Sequence, residues 1–140
     1  MHYYLSLGSN LGDREATLRA ALEHIEQQIG PITRCSSFFF SEPWGFESPN
    51  MFCNLCCCVE TMMEPMDVLA AAQAIERILG RTHKSANGQY SDRPIDIDII
   101  RAFDNAQKEI VSNDPLLTIP HPLYKQRDFV VIPLREIGGE

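Results

Sequence analysis

The chain has 140 residues, 44% hydrophobic and 22% charged, which is typical of one soluble globular domain spanning residues 1–140. The net charge of −7 argues against general binding to nucleic acid or anionic membranes, so an anionic ligand would need a local cluster of cations. No apolar run is long enough to span a bilayer and no basic secretory leader precedes the first strand, so we expect a cytoplasmic protein.

Four segments have the alternating apolar, β-branched or aromatic composition that is typical of strands. They are residues 2–8, 32–40, 52–62 and 95–101. After the first strand, Gly8, Ser9, Asn10 and Gly12 predict a tight turn. The spacing Gly8-x-x-x-Gly12 lacks the lysine of a nucleotide-binding P-loop, so we interpret these glycines as structural.

Two helices alternate with these strands. The first carries an apolar face of leucine and isoleucine between residues 18 and 29 and ends at Gly30-Pro31. The second opens at Glu64-Pro65 and ends at Gly80. The order β-α-β-β-α-β predicts an α+β, ferredoxin-like fold with an antiparallel sheet and helices packed on it. A C-terminal extension follows, predicted as a short hairpin and one or two helical pieces broken near Pro133.

Five cysteines occur, and four of them crowd into residues 53–58. Their odd number and the lack of an export signal argue against a disulfide framework. The spacing Cys53-x-x-Cys56 resembles half of a zinc site, but no second pair at metal spacing follows. We therefore interpret the cysteines as small apolar residues of a buried strand.

Two aspartates share one face of the fourth strand. Asp96 and Asp98 alternate with three isoleucines, which places their Cα atoms about 6.5–7 Å apart on an extended strand. Two carboxylates at this spacing can converge on Mg²⁺, which takes one or two carboxylates together with water and phosphates. The alternatives are a polar strand face in water and an Asp–Arg pair.

Cationic residues flank this strand on both sides in the sequence. They are Arg81, His83, Lys84 and Arg93 before it, and His121, Lys125 and Arg127 after it. Cations beside a carboxylate pair suit a complex of metal and polyphosphate, whereas a solvated basic loop is the alternative. The connections 41–51 and 81–94 are long for so small a domain, which is typical of functional loops.

Three motifs, "LGSNLGD", "RPIDIDII" and "IPHPLYKQRDF", occur in this order and together resemble the 6-hydroxymethyl-7,8-dihydropterin pyrophosphokinase family of folate biosynthesis. The resemblance covers nearly the whole chain. It implies a ferredoxin-like core and transfer of the β,γ-pyrophosphoryl group of ATP to the pterin hydroxymethyl group, which yields the pterin diphosphate and AMP. It also implies two Mg²⁺ ions, with ATP as co-substrate, and we expect a monomer.

The resemblance assigns roles to residues of this chain. The implied metal ligands are Asp96 and Asp98. The implied catalytic residues are Arg81, Arg93, Asp96, Asp98 and His121. The implied ATP-binding residues are Gln73, Glu76, Arg81, His83, Lys84, Arg93, Ile99, Thr118, His121, Lys125 and Arg127. The implied pterin-binding residues are Ser41, Glu42, Trp44, Phe52, Asn54, Asp96 and Phe129, with an amide at Asn54 that offers a donor and an acceptor.

The chain departs from the family pattern in the loop before the fourth strand. His83 stands where the loop's second arginine is usual, and Ser91-Asp92 stands where many members have Gly-Pro. Tyr90 is the candidate to replace an aromatic that stacks in the closed loop. We predict that the loop from Arg81 to Pro94 is mobile without ligands and closes over the triphosphate.

Two other interpretations remain open. One is a nucleotide-binding protein of the same fold with a changed acceptor, against which Asn54 and the paired phenylalanines argue. The other is a non-enzymatic binding module, for example for RNA. The aromatic ribonucleoprotein motifs and basic sheet of such modules are absent from the sequence, and the net charge has the wrong sign.

Overall fold

The computed structural model describes residues 1–43, 50–80 and 94–140. Its elements in chain order are β1 (His2–Ser9), α1 (Arg14–Gln28), β2 (Ile32–Cys35), β3 (Phe39–Ser41), β4 (Phe52–Glu60), α2 (Pro65–Ile78), β5 (Asp96–Phe103), β6 (Ser112–Asp114), β7 (Leu117–Ile119) and α3 (Asp128–Glu136). A short 3-10 helix, Tyr124–Gln126, precedes α3. The predicted order of strands and helices is confirmed, with a hairpin and helices as the C-terminal extension.

The main sheet is antiparallel throughout, with strand order β2-β4-β1-β5, and β3 pairs with β4 beyond the end of β2. This is the order that a ferredoxin-like β-α-β-β-α-β unit produces, so the predicted fold class is confirmed. Strands β6 and β7 form a separate two-stranded hairpin. Strand β1 lies at the centre, with β4 on one side and β5 on the other.

The sheet is covered on both faces. On the first, the α1/α2 face, alternate residues of β1 such as Leu5 and Leu7 pack with Leu18 and Ile25 of α1 and Ile75 of α2. On the second, the α3 face, a smaller cluster joins Cys56, Cys58 and Ile100 to Val130 and Leu134 of α3. None of the helices in the described ranges is long and apolar enough to cross a membrane.

Coverage of both faces explains the cysteine-rich strand. Cys53 and Cys57 lie in the α1/α2 core, whereas Cys56 and Cys58 lie in the cluster under α3. All five cysteines are free thiols, and the four in β4 are buried, so the interpretation as apolar core residues is confirmed. Cys53 and Cys56 point to opposite faces because successive strand residues alternate, so they cannot share one metal ion.

The helix boundaries follow local signals. Asp13 caps α1 by accepting a hydrogen bond from the backbone nitrogen of Ala16 at 3.1 Å. Pro65 occupies the first turn of α2, where its missing N–H costs nothing. Gly80 follows the end of α2 with a φ of 104°, a left-handed conformation that glycine adopts without strain.

The predicted single strand over residues 32–40 is wrong, because residues 36–38 separate β2 from β3. Ser36 turns its hydroxyl to the backbone nitrogen of Cys56 at 2.9 Å, and Ser37 gives its backbone nitrogen and hydroxyl to the carboxylate of Glu136 in α3. Ser36 still donates its backbone N–H to the carbonyl of Cys56 at 2.9 Å, and after it side-chain hydrogen bonds take the place of regular pairing.

The predicted break near Pro133 is also wrong, since α3 runs through that proline to Glu136. Proline removes one helical hydrogen bond, but Val130 and Leu134 on either side of it are anchored in the cluster under the sheet. The helix ends where Gly139 donates its backbone N–H to the carbonyl of Leu134 at 2.9 Å.

Strand β5 contains one irregularity that the alternating sequence did not predict. Its register against β1 shifts between Tyr4 and Leu5, which pair with Arg101 and Ile99, so Ile100 is an extra residue in a bulge. Ile95, Ile97 and Ile99 enter the α1/α2 core as expected, whereas Ile100 packs under α3. The two aspartates precede the bulge and keep their shared face.

Candidate active site

The α3 face of the central strands carries two adjacent cross-strand rows of side chains. The first row is Asn54 of β4, Gly8 of β1 and Asp96 of β5, which are direct partners in the two registers. The second row, two residues along each strand, contains Ser6 and Asp98. Asn54, the implied pterin residue, therefore lies on the same face as Asp96 and Asp98, the implied metal residues. The Cα atoms of Asn54 and Asp96 are about 10 Å apart.

The first turn of α3 lies at the same end of the sheet. The carbonyl of Val130 accepts a hydrogen bond from the thiol of Cys56 at 3.6 Å, and Gly139 lies against the ring of Tyr4 further along the sheet. Helix α3 therefore runs away from the two rows and begins beside them. The beginning of α3 therefore lies near the rows. It carries Arg127 as the N-cap residue and Phe129 in the first turn.

Asn54 is held firmly in its position. Its side chain is 2% exposed, and its amide nitrogen donates to the carbonyl of Phe39 at 2.9 Å and to the hydroxyl of Ser41 at 2.8 Å. The carbonyl of Phe39 can only accept, which fixes the amide nitrogen on that side and Oδ1 on the other. Both N–H groups are therefore engaged within the protein, and the group left for a ligand is the acceptor Oδ1.

The two aromatic residues of the predicted pterin pocket have different surroundings. Phe52 is 7% exposed, yet it belongs to neither of the two hydrophobic clusters. Phe129 is half-buried and packs against the cluster under α3. The distance from its ring centre to the guanidinium carbon of Arg127 is 5.8 Å. Phe52 shares the sheet face with Asn54, because the two residues are two apart on β4.

Asp96 and Asp98 are both half-buried on the α3 face. No cluster of three or more His, Cys, Asp or Glu suited to holding a metal occurs in residues 1–43, 50–80 and 94–140. Two carboxylates two residues apart on one strand face suit Mg²⁺, which typically takes one or two carboxylates and fills its remaining positions with water and substrate phosphates. The donor set of these residues therefore fits the metal that the sequence predicted.

Glu76 lies behind the aspartate pair. Its side chain is 2% exposed, and its Oε2 accepts a hydrogen bond from the backbone nitrogen of Ile97 at 2.8 Å. Ile97 lies between Asp96 and Asp98, on the strand that forms the edge of the main sheet. A side chain of α2 thus caps an outward-facing N–H of that edge. Its contact with a nucleotide stays a prediction.

His121 is held against β5 by its backbone. Its backbone nitrogen donates to the carbonyl of Ile100 at 2.8 Å, and its Nδ1 accepts from the backbone nitrogen of Leu123 at 3.2 Å. Since Nδ1 is an acceptor, the proton of the neutral ring is on Nε2. His121 can therefore present an N–H donor, which suits contact with a phosphate oxygen.

The remaining described residues of the predicted ATP site lie on elements beside the edge strand. Gln73 is half-buried on α2, Ile99 is buried in β5, and Thr118 is exposed on β7. Lys125 is exposed, with its Nζ 5.9 Å from the ring centre of Tyr124. Contacts of β5 and α2 with β7 bring this hairpin beside the edge strand.

Several predicted residues lie outside the described residues. They are Trp44, Arg81, His83, Lys84 and Arg93, together with Tyr90 and Ser91-Asp92. The predicted mobility and closure of the loop from Arg81 to Pro94 therefore stay predictions. Two further pterin-site candidates belong to the described residues: Ser41, half-buried in β3, and Glu42, exposed after it.

Gly8 is a candidate site residue that the sequence pattern predicted to lie in a turn. It lies inside β1, whereas Gly12, with a φ of 67°, occupies the turn. A Cβ built on Gly8 would come within 3.0 Å of Asn54 Oδ1 and 3.4 Å of the Phe52 ring. A glycine inside a strand often marks the close approach of another group, and that signal was present in the sequence.

Comparison with known proteins identifies relatives over almost the whole chain. The family model described as 7,8-dihydro-6-hydroxymethylpterin-pyrophosphokinase matches residues 4–139. A 2-amino-4-hydroxy-6-hydroxymethyldihydropteridine pyrophosphokinase from Porphyromonas gingivalis is 49% identical over 135 residues, covering 96% of this chain and 89% of that protein. The protein of the same name from Aquifex aeolicus is 36% identical, covering 96% of this chain and 78% of its own length.

Solved structures are similar in fold. A chain described as HPPK-DHPS in complex with substrates superposes with a TM-score of 0.71 at 16% identity, covering 97% of this chain. The present chain corresponds to 40% of that longer protein. At this identity the superposition supports the fold, and the sequence relatives carry the family assignment.

Proposed function

Because the chain belongs to the 7,8-dihydro-6-hydroxymethylpterin-pyrophosphokinase family, we propose that it transfers the β,γ-pyrophosphoryl group of ATP to the hydroxymethyl group of 6-hydroxymethyl-7,8-dihydropterin. The chain is an enzyme of the transferase class, and ATP-dependent pyrophosphoryl transfer is the general reaction of its family. The proposed products are AMP and the pterin diphosphate. Its action as a cytoplasmic monomer stays a prediction.

The row formed by Asn54, Gly8 and Asp96 carries this proposal. The amide of Asn54 lies at one end of the row and the carboxylate of Asp96, which we propose as a metal ligand, at the other, about two strand spacings away. A flat pterin lying over Gly8 would present a ring edge to Asn54 Oδ1 and its hydroxymethyl group towards Asp96. The acceptor oxygen would then lie beside the position proposed for the triphosphate.

The proposed roles of the remaining residues follow from their chemistry. Asp96 and Asp98 would hold two Mg²⁺ ions, which when bound supply positive charge against the phosphate oxygens. His121 would donate from Nε2 to a phosphate oxygen, and Arg127 would add a cation at the start of α3. The phosphate contacts of Arg81, His83, Lys84 and Arg93 are proposed from the family resemblance alone.

The pterin side is proposed to select a flat heterocycle by shape and hydrogen bonding. Phe52 and Phe129 would stack on the two ring faces, and Ser41 would support the pocket through its hydrogen bond with Asn54. Glu42 and Trp44 would line the pocket through backbone groups.

The deciding experiment is incubation with ATP, Mg²⁺ and 6-hydroxymethyl-7,8-dihydropterin, followed by chromatography of the nucleotides and mass spectrometry of the pterin. We expect AMP and a pterin that has gained two phosphoryl groups. Formation of ADP and a pterin monophosphate, or no pterin-dependent turnover of ATP, would contradict the proposal. Asp96→Asn and Asp98→Asn should each reduce turnover by at least 100-fold, on the scale of losing one electrostatic contact in a transition state.

A matched control is Asp67→Asn, which removes the same charge from an exposed position in the first turn of α2. It should retain turnover within about 2-fold of the unmodified protein. Near-normal activity in both site variants would refute the metal assignment, while the proposed reaction would still stand on its products.

A further inference from the structure

We propose that the absent side chain of Gly8 sets the acceptor specificity of the enzyme, by keeping the Oδ1 atom of Asn54 in place and open to a ligand. This inference rests on the proposed function, since it concerns how the same site selects the pterin. It assigns a specificity-determining role to a strand glycine whose backbone needs no glycine. No positive φ occurs at Gly8, so the backbone itself would accept alanine.

The first step is the position of Gly8 between two functional residues. It pairs directly with Asn54 on one side and with Asp96 on the other, and all three lie on the α3 face. Any side chain at this position would rise from the floor of the space between the amide and the carboxylate. Glycine leaves that floor open, so a ring held between the two phenylalanines can approach the sheet closely.

The second step is the crowding that a methyl group would cause. The added Cβ would be 3.0 Å from Asn54 Oδ1 and 3.4 Å and 3.8 Å from two atoms of the Phe52 ring. The contact with Oδ1 is shorter than carbon and oxygen atoms adopt without repulsion, so one group has to move. The backbone on both sides is fixed in the sheet ladder, which leaves the Asn54 side chain to move.

The third step is the cost of moving that side chain. Its amide nitrogen is held by Phe39 and Ser41 at 2.9 Å and 2.8 Å, so a rotation that relieves Oδ1 lengthens both hydrogen bonds. If the Asn54 amide rotates, it loses hydrogen bonds in a buried position, which is unfavourable. If it keeps them, Oδ1 stays in close contact with the added methyl group. The methyl group would therefore either displace the acceptor or cover it.

The consequence is a selective one. Because both N–H groups of Asn54 are engaged, the pocket reads a ligand at this position through one acceptor oxygen, which requires an N–H donor on the ring edge. A heterocycle that points an N–H donor at Asn54 Oδ1 would bind. A heterocycle that points an acceptor at Oδ1 would leave both acceptors without a hydrogen bond. Gly8 and Asn54 together therefore select a donor-bearing edge, while the nucleotide side is unaffected.

The test compares Gly8→Ala with the unmodified protein by calorimetry, measuring the Kd of 6-hydroxymethylpterin in the presence of Mg²⁺ and a non-hydrolysable ATP analogue. We expect the pterin Kd to rise at least 10-fold, while the Kd of the ATP analogue measured alone stays within 2-fold. The control is Gly12→Ala, whose Cβ meets nothing within 4 Å but whose φ of 67° strains an alanine. It should lower the melting temperature and leave the pterin Kd within 2-fold.

A double-mutant cycle with Asn54→Ala separates a positioning role from a general loss of structure. If Gly8→Ala acts through Asn54, the added methyl should change the pterin Kd by less than 2-fold when Asn54 is already alanine. A full effect of the methyl in that background would overturn the inference, as would equal losses for pterin and nucleotide. Failure of the unmodified protein to bind pterin overturns the proposed function and the inference with it, whereas pterin binding that Gly8→Ala leaves unchanged overturns the inference alone.

Discussion

The buried side chain of Glu76 offers a quantitative test of how strand β5, which carries the two aspartates, is held. Glu76→Ala removes the acceptor that lies 2.8 Å from the backbone nitrogen of Ile97, and Glu76→Gln keeps an uncharged oxygen at the same place. Ile97 lies between the two aspartates, on the edge strand of the main sheet. Loss of this bond should therefore affect both the stability of the fold and the orientation of the aspartates.

The magnitude follows from the environment of the bond. A hydrogen bond contributes roughly 0.5–1.5 kcal/mol between neutral groups and up to about 3 kcal/mol where one partner is charged, and its loss leaves the N–H of Ile97 without this acceptor. Removing the buried side-chain atoms of a residue that is 2% exposed adds a cavity cost, so Glu76→Ala should lower the free energy of unfolding by about 2–4 kcal/mol. Glu76→Gln should lose only about 1 kcal/mol, because its amide oxygen still accepts the bond.

Denaturant unfolding measures the stability change, and amide hydrogen exchange locates it. We expect the backbone N–H of Ile97 to exchange at least 10-fold faster in Glu76→Ala, and within about 3-fold of the unmodified rate in Glu76→Gln. The matched control is Glu23→Ala on the exposed face of α1, which should change stability by less than about 0.5 kcal/mol. Unchanged exchange at Ile97 in Glu76→Ala would show that this bond does not hold the strand and would refute the reasoning.

Three further predictions concern titrating and reactive groups. Burial raises the pKa of Tyr3 to about 12, so the stability contributed by its neutral hydroxyl should be complete below pH 10 and lost as the pH rises towards 12, and Tyr3→Phe should abolish this loss in alkaline unfolding curves. The hydrogen bond from Arg101 lowers the pKa of Glu109, so their pair should stabilise the fold above the ordinary glutamate range and lose its effect as the pH falls through the lowered value. The stability difference between the unmodified protein and Glu109→Gln should accordingly shrink in acid, and a constant difference from pH 7 to pH 3 would contradict the pairing. A thiol reagent should modify only Cys35 in the native protein and all five cysteines after unfolding, and the native reaction should be slow because burial raises the pKa of this thiol.

The order of elements and the face of the aspartates were predictable from the sequence because both depend on local periodicity. Alternating residues such as Ile95, Asp96 and Ile97 face opposite sides of any extended strand, whatever surrounds it. Helix boundaries likewise depend on neighbours in the chain, as the cap at Asp13 shows. These features need no knowledge of which strands become partners.

The features that the sequence did not predict depend on contacts between distant segments. The break after β2 is fixed by a hydrogen bond between Ser37 and Glu136, 99 residues apart. The orientation of the Asn54 amide depends on Phe39 and Ser41, which lie on another strand. Gly8 could be seen as a glycine in the sequence, but its effect on Asn54 exists only in the register of β1 against β4.

Strand β1 therefore sets the geometry of the proposed site, although it contributes no charged group to the rows. Its register against β4 and its register against β5 together determine which residue faces which across the row. A slip of one residue would turn Asp96 away from the α3 face, and a slip of two would move it about 6.5–7 Å relative to Asn54. Leu5 and Leu7, on the opposite face of β1, are fully buried in the α1/α2 core and oppose the slip of one residue, which would turn buried side chains out of that core.

The bulge in β5 is consistent with this requirement. It lies at Ile100, beyond both aspartates, so the regular pairing with β1 is kept through Asp96 and Asp98 and interrupted only after them. Ile100 keeps the face of Asp96 and Asp98 and packs under α3, while its carbonyl accepts the backbone N–H of His121. The bulge residue thus anchors the segment that carries His121 and leaves the two rows in register. The apolar core that stabilises β1 also fixes the spacing between these rows, on which the proposed chemistry depends.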